Sequence, residues 1–135
     1  MGQYRRTAGG GERVGKDREK RLWGIRGAIQ VSHNSQKAIL EATERLLKEI
    51  IERNGLQRED VVSAFFTMTP DLNAAFPAEA ARKLGWEEVA LLCASEIQVP
   101  GSLPKVVRVL IHAYLEHKPV HVYLDQAAQL RPDLS

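Results

Sequence analysis

Residues 22–31, LWGIRGAIQV, read as a strand carrying an anomaly. Trp23, Ile25, Ile29 and Val31 alternate as one half-buried face requires. Arg26 stands in the middle of this run, bracketed by Gly24 and Gly27. Glycine weakens a strand interior and marks places where a ligand or another backbone comes close. A permanently charged side chain with the wall around it stripped bare is the first candidate for function.

Downstream, SHNS at 32–35 offers Asn34 or Ser32 as a helix N-cap. Ile39, Ala42, Leu46, Leu47, Ile50 and Ile51 then recur at helical spacing, and Asn54-Gly55 ends the helix with glycine in the left-handed position. Glu41–Arg45, Glu44–Lys48 and Glu49–Arg53 are acid-then-base pairs four apart on its solvated side. VVSAFFTMT at 61–69 is a second strand, apolar on both faces and hence central. FPAEAARKLGW forms a short helix, with Pro77 acceptable in its first turn and Gly85 as its stop. VALLC at 89–93 is a third strand, PGSLP at 100–104 a loop, KVVRVLIHAYL at 105–115 a fourth strand, and VHVYL at 120–124 begins a fifth.

Strand, helix, strand, helix, strand and two further strands give an α+β fold with α/β character, a mixed five-stranded sheet with two helices on one face. Two helices cannot cover both faces of such a sheet. The bare face is expected to meet another subunit in a symmetric homo-oligomer.

The composition of the 135 residues, 44% hydrophobic and 27% charged, is that of a soluble globular protein. No run of eighteen apolar residues exists, so no membrane span is expected, and the N-terminus lacks the apolar stretch of a secretory signal. The single Cys93 cannot form an intrachain disulfide and fits a reducing, cytoplasmic setting. Residues 1–21 carry seven of the 19 Lys/Arg and three of the 17 Asp/Glu, so the basicity belongs to this segment and the domain at 22–135 is slightly acidic. The segment holds three consecutive glycines and almost nothing apolar, and reads as a disordered basic extension. A nucleic-acid-binding arm is one use of such a segment. A dispensable extension, or a start codon placed too early, is the preferred reading, so neither nucleic acid nor membrane is expected as a partner.

Arg108 repeats the anomaly of Arg26. In VVRVLIHAYL one face reads Val107, Val109, Ile111 and Ala113, and the other Val106, Arg108, Leu110, His112 and Tyr114. Arginine among branched aliphatics is rarely buried unless paired. Glu96 lies just past the third strand, at a strand end where sites gather, and Tyr123 adds a polar tip on the last strand. The plainest reading is one structural Arg–Glu bridge. Two arginines against one acid leave a surplus positive charge, which suits an anionic ligand such as a small organic acid. Arginine holds a carboxylate bidentately and stays protonated at any working pH.

Other chemistries find less support. Cys93 with His112 or His121 as nucleophile and base has no local signature, and a small strand residue is the simpler reading. His33, His112, His117 and His121 lack metal-ligand spacing, and GIRGA is neither a phosphate loop nor a dinucleotide fingerprint. No metal or cofactor is expected.

GIRGA, TPDLNAAFPAEAAR, LLCASEIQVPGSLPKVVRVLIH and HVYLDQAAQLRPDL, in this order from Leu22 to the C-terminus, resemble the monofunctional chorismate mutases of the AroH type. The resemblance implies a homotrimer with a pseudo-α/β-barrel core and active sites between adjacent subunits. It implies a cofactor-independent pericyclic rearrangement of chorismate to prephenate, on the branch toward phenylalanine and tyrosine. By matching motif, Arg26 would grip a substrate carboxylate, with the two glycines leaving room. Arg108 would point at the ether oxygen and a carboxylate as principal electrostatic catalyst. Glu96 would accept the ring hydroxyl's hydrogen bond, Cys93 would contact the same region, and Tyr123 would donate to a carboxylate. Phe76 and Arg82 would line the mouth, and Leu130 with Arg131 would close it. Glu79 departs from the pattern, since many relatives are basic there, and it receives no role. The competing readings are a non-catalytic trimer that binds a small organic acid, and an enzyme of related shape acting on a different carboxylate, such as an enamine or imine deaminase.

Overall fold

The structure, a computed structural model, describes residues 19–133. Most of the basic extension, residues 1–18, lies outside the described residues. The elements run β1 (Arg21–Gln30), α1 (Gln36–Asn54), β2 (Val61–Met68), α2 (Ala78–Lys83), β3 (Ala90–Ser95), β4 (Val106–Leu115) and β5 (Val122–Leu124), with 3-10 turns at Arg58–Asp60 and Asp125–Gln129. They build one five-stranded sheet in the order β3-β2-β4-β1-β5. β4 runs antiparallel to both β1 and β2, while β3 is parallel to β2 and β5 parallel to β1. The sheet is mixed, as the order of elements predicts.

Period-two burial decides which face goes inward. Ile25 and Ile29 of β1, Val107, Val109 and Ile111 of β4, and Phe66 of β2 form one core with Ile39, Leu46, Leu47 and Ile50 of α1. Ala78 and Ala81 of α2 join the same core, so both helices lie on one side of the sheet. The far side keeps Leu22, Phe65, Leu92 and Tyr114 exposed at 53%, 41%, 59% and 44%, more apolar surface in one place than solvent-facing strands normally carry. Among the described residues one corner of that side is covered: the turn after β5 brings Ala127 onto Ala28 and Val106, all fully buried, with Leu103, Tyr123 and Leu130 packed around them.

The ends of α1 show what local sequence can and cannot specify. Gly55 takes φ +58° and Leu56 N–H returns to the Ile51 carbonyl at 3.0 Å, a Schellman closure. The N-cap, however, is Ser35, whose Oγ accepts from Ala38 N–H at 3.1 Å. Asn34 is drawn away from capping because its side-chain oxygen accepts from the Asn73 and Ala74 N–H groups at 3.0 and 3.1 Å. Ser32 instead meets the His33 ring at 2.9 Å. Two of the three expected i,i+4 pairs form, Glu44–Lys48 at 2.8 Å and Glu49–Arg53 at 2.9 Å. Arg45 turns instead to Asp125, which it holds with both terminal nitrogens at 2.9 and 3.2 Å.

One expectation about β1 is corrected. Gly27 faces the helices, and a Cβ there would meet Ile50 Cδ1 at 2.7 Å, the Val122 carbonyl oxygen at 3.2 Å and Leu46 Cδ1 at 3.3 Å. Its bareness lets α1 approach the sheet rather than making room for a ligand. Gly24 is the glycine on the Arg26 side, where a Cβ would stand 3.4 Å from Leu110 Cδ1.

Candidate active site

Strand register places the polar residues of the open face in order. Tyr123, Ala28, Arg108, Thr67 and Ala94 are successive partners across β5, β1, β4, β2 and β3. Same-face neighbours on a strand are two residues apart, so Arg26 lies one step along β1 from Ala28, on the same side. Glu96 continues β3 beyond its last paired residue, held by its N–H to the Met68 carbonyl at 2.9 Å. Ala28 lies between Tyr123 and Arg108 in the register, buried under Ala127 at the covered corner of this face.

Arg108 Nε lies 2.8 Å from Glu96 Oε2, and Thr67 Oγ1 donates to the same oxygen at 2.7 Å. The structural bridge that the sequence allows is therefore present. It does not neutralise the face, because the Arg26 guanidinium makes no ion pair or hydrogen bond among the described residues. Arg26 therefore stands outside that bridge, and its charge helps to lower the Asp133 carboxyl. The Tyr123 hydroxyl likewise makes no hydrogen bond among the described residues and sits beside the small Ala28–Val106–Ala127 cluster.

The backbone under Arg26 has its own support. Its N–H donates to His121 Nδ1 at 2.9 Å. Burial, and then the charges of Arg26 and Arg131, hold the His121 pKa below its ordinary value. Arg131 is engaged with Asp133 at 3.1 and 2.8 Å, and that contact lowers the Asp133 carboxyl. Leu130 packs onto the Ala28 cluster.

Cys93 and Phe76 lie elsewhere. Cys93 is the register partner of Phe66 and so points to the helix side. It lines a cleft of about 580 Å³ with Met68, Leu72, Phe76, Glu79 and Ser95. Arg82 is exposed on α2, outside that lining. Within one chain, then, Arg26, Glu96, Arg108, Tyr123 and Leu130 belong to the open face, and Phe76 and Cys93 belong to the cleft beyond the sheet's edge strand. Two residues of the open-face site have other readings in sequence or none. Thr67 is one of two hydroxyls, with Ser63, in a largely apolar strand, and His121 enters only as a base for Cys93 or a metal ligand, neither of which is its place here.

Residues 22–134 match the family described as Chorismate mutase type I. A protein named Chorismate mutase AroH from Thermus thermophilus is 50% identical over 115 residues, covering 82% of this chain and 94% of its own. One of the same name from Bacillus subtilis is 44% identical over 116 residues, covering 83% and 91%. Among solved structures, a chorismate mutase from Clostridium thermocellum is similar at a TM-score of 0.78 and 49% identity, covering 79% of this chain and 98% of its own.

Proposed function

The chain belongs to the type I chorismate mutase family, and from that premise we propose how its residues convert chorismate to prephenate. It is an isomerase of aromatic amino acid biosynthesis. The reaction is a pericyclic shift within one molecule, in which the ether C–O bond breaks as a C–C bond forms. It needs no nucleophile and no external electron source.

Chorismate is a flexible dianion whose reactive conformer folds the enolpyruvyl arm over the ring. Holding that conformer prepays part of the barrier as entropy. We assign that task to Tyr123 on β5, Arg26 on β1 and Arg108 on β4, which present donors to the carboxylates. Tyr123 and Arg108 are two strand spacings apart, about 10 Å, a span suited to a small ring bearing two carboxylates. As the C–O bond lengthens, negative charge gathers on the ether oxygen and positive charge on the ring. The guanidinium of Arg108, fixed in direction by its Nε contact to Glu96, meets the first, and the Glu96 carboxylate faces the second. Donors aimed at charge that exists only in the transition state accelerate the step rather than merely tightening binding.

The exposed apolar side of the sheet and the separation of Phe76 and Cys93 from Arg108 support a homotrimer with sites at the seams. In that assembly the cleft of one subunit, with Phe76, Cys93 and Arg82 near its mouth, closes over the open-face cluster of the next. Leu130 and Arg131 close it from the C-terminal side. The free thiol of Cys93 fits a cytoplasmic protein. The observation that carries this reading is the pair of arginines on one sheet face with a single carboxylate between them and the edge. The test is purified protein mixed with chorismate alone, following loss of the diene absorbance. Turnover without any addition is expected. Binding without turnover would assign the chain to the non-catalytic module instead.

A further inference from the structure

β1 and β5 pair over only three residues, beginning at Gly27 with Val122. The next residue outward on β1 is Arg26, and the next on β5 is His121. There the ladder stops as main chain but continues as side chain, because the Arg26 N–H ends on His121 Nδ1 at 2.9 Å. A part-buried N–H facing a strand that has run out would otherwise be left without an acceptor. A main-chain N–H can only donate, so Nδ1 must present a lone pair and any ring proton sits on Nε2.

We infer that His121 is a positioning residue for the reaction: its neutral imidazole fixes the backbone of Arg26, and so the direction in which that guanidinium meets a substrate carboxylate. The inference rests on the reading of Arg26 as a carboxylate clamp. The groups around His121 agree with it. Arg26 faces it from β1 and Arg131 from the segment after the last 3-10 turn, both cations that, with burial, disfavour the imidazolium. The nearest acid in that segment, Asp133, is itself held by Arg131. From the end of α1, Asn54, a neutral side chain, ties Val120 at 2.7 and 2.9 Å and so anchors the approach to His121. Protonation of Nδ1 would place two donors face to face and release the Arg26 backbone.

The sign follows directly. The folded imidazole titrates below its ordinary value, so it is neutral at pH 7 and becomes charged only on the acid side. Because kcat/KM reports groups of the free enzyme, its profile should fall as pH drops through the His121 pKa.

The experiment compares wild type, His121→Ala, His121→Asn and Arg26→Ala with chorismate as substrate, each over a range of pH. Asparagine can present its side-chain oxygen where Nδ1 stands but does not titrate. His121→Ala should lower kcat/KM about tenfold at neutral pH, the worth of one lost hydrogen bond. His121→Asn should recover most of that loss and should lack the part of the acid limb that His121 protonation adds to the wild-type profile. If His121→Ala does not fold, the asparagine profile decides alone. An acid limb in His121→Asn unchanged from wild type, or a His121→Ala rate equal to wild type, would overturn the inference while leaving Arg26 untouched. An Arg26→Ala enzyme with wild-type kinetics would overturn the reading beneath it.

Discussion

Arg108 and Glu96 touch at 2.8 Å although they arrive from strands that are not neighbours. β2 lies between β4 and β3, and its Thr67 is the register partner of Arg108 on one side and Ala94 on the other. The Thr67 hydroxyl fills the gap by donating to the same carboxylate oxygen that the guanidinium approaches. Three adjacent strands are thus bridged by one acid, one base and one hydroxyl. Both contacts fall on Oε2, and Oε1 makes no hydrogen bond among the described residues.

Thr67 therefore has a measurable part. Thr67→Val keeps the shape of the side chain but removes the donor, which typically costs about 1 kcal/mol. Glu96 then loses one of its two anchors. The expected result is a kcat lowered several-fold, with a modest drop in thermal stability of the size one hydrogen bond accounts for. Steady-state kinetics and a melting curve together check it. Equal kcat in the two proteins would show that Glu96 needs no such anchor.

The two glycines flanking Arg26 separate by face, and substitution should tell them apart. Gly27→Ala drives a methyl toward Ile50, Leu46 and the Val122 carbonyl. Overpacking of this kind costs about 1–3 kcal/mol, and the main-chain oxygen cannot move aside. Gly24→Ala meets only Leu110 at ordinary contact distance. Thermal unfolding should show a clear loss for the first and none for the second.

That contrast marks how far the sequence can be read. The period-two alternation of β1 and β4, the 3.6-residue stripe of α1 and its glycine stop are local patterns, and all appear in the fold. The anomaly of arginines on inner strands was equally visible, because a charged residue in an apolar run needs no partner to be noticed. What could not be read were relations between distant segments. Asn34 looked like a cap until Asn73 and Ala74 competed for it, and Arg45 looked paired with Glu41 until Asp125 came within reach. Gly27 and Gly24 were alike in sequence and opposite in space. His121 became meaningful only because β5 ends beside Arg26. The separation of Cys93 from Arg108 across the sheet is likewise a fact of register, invisible before the strands are paired.

If the site is completed across a seam, two broken chains should repair each other. Arg108→Ala disables the open-face half, and Phe76→Glu sets an acid against a dianion in the cleft half. Each alone should be nearly inactive. Co-expressed and mixed within oligomers, they leave roughly a quarter of seams with both halves intact in a closed ring of head-to-tail interfaces. Chorismate turnover of the purified mixture is the measurement. No recovery in a proven mixed oligomer would place the whole site within one chain.

Arg108 itself is where the account is most exposed. Its guanidinium is taken to meet charge that develops only as the ether bond breaks, so its removal should strike kcat. The measurement is kcat for chorismate in Arg108→Ala and Arg108→Lys, with folding verified for each. The expected loss in the alanine variant is at least about 3 kcal/mol, more than roughly a hundred-fold. The lysine variant should also be poor, since a point charge cannot reach both Glu96 and the substrate as a fork does. An alanine variant that folds and turns chorismate over within a few-fold of the wild-type kcat would contradict the account at its centre.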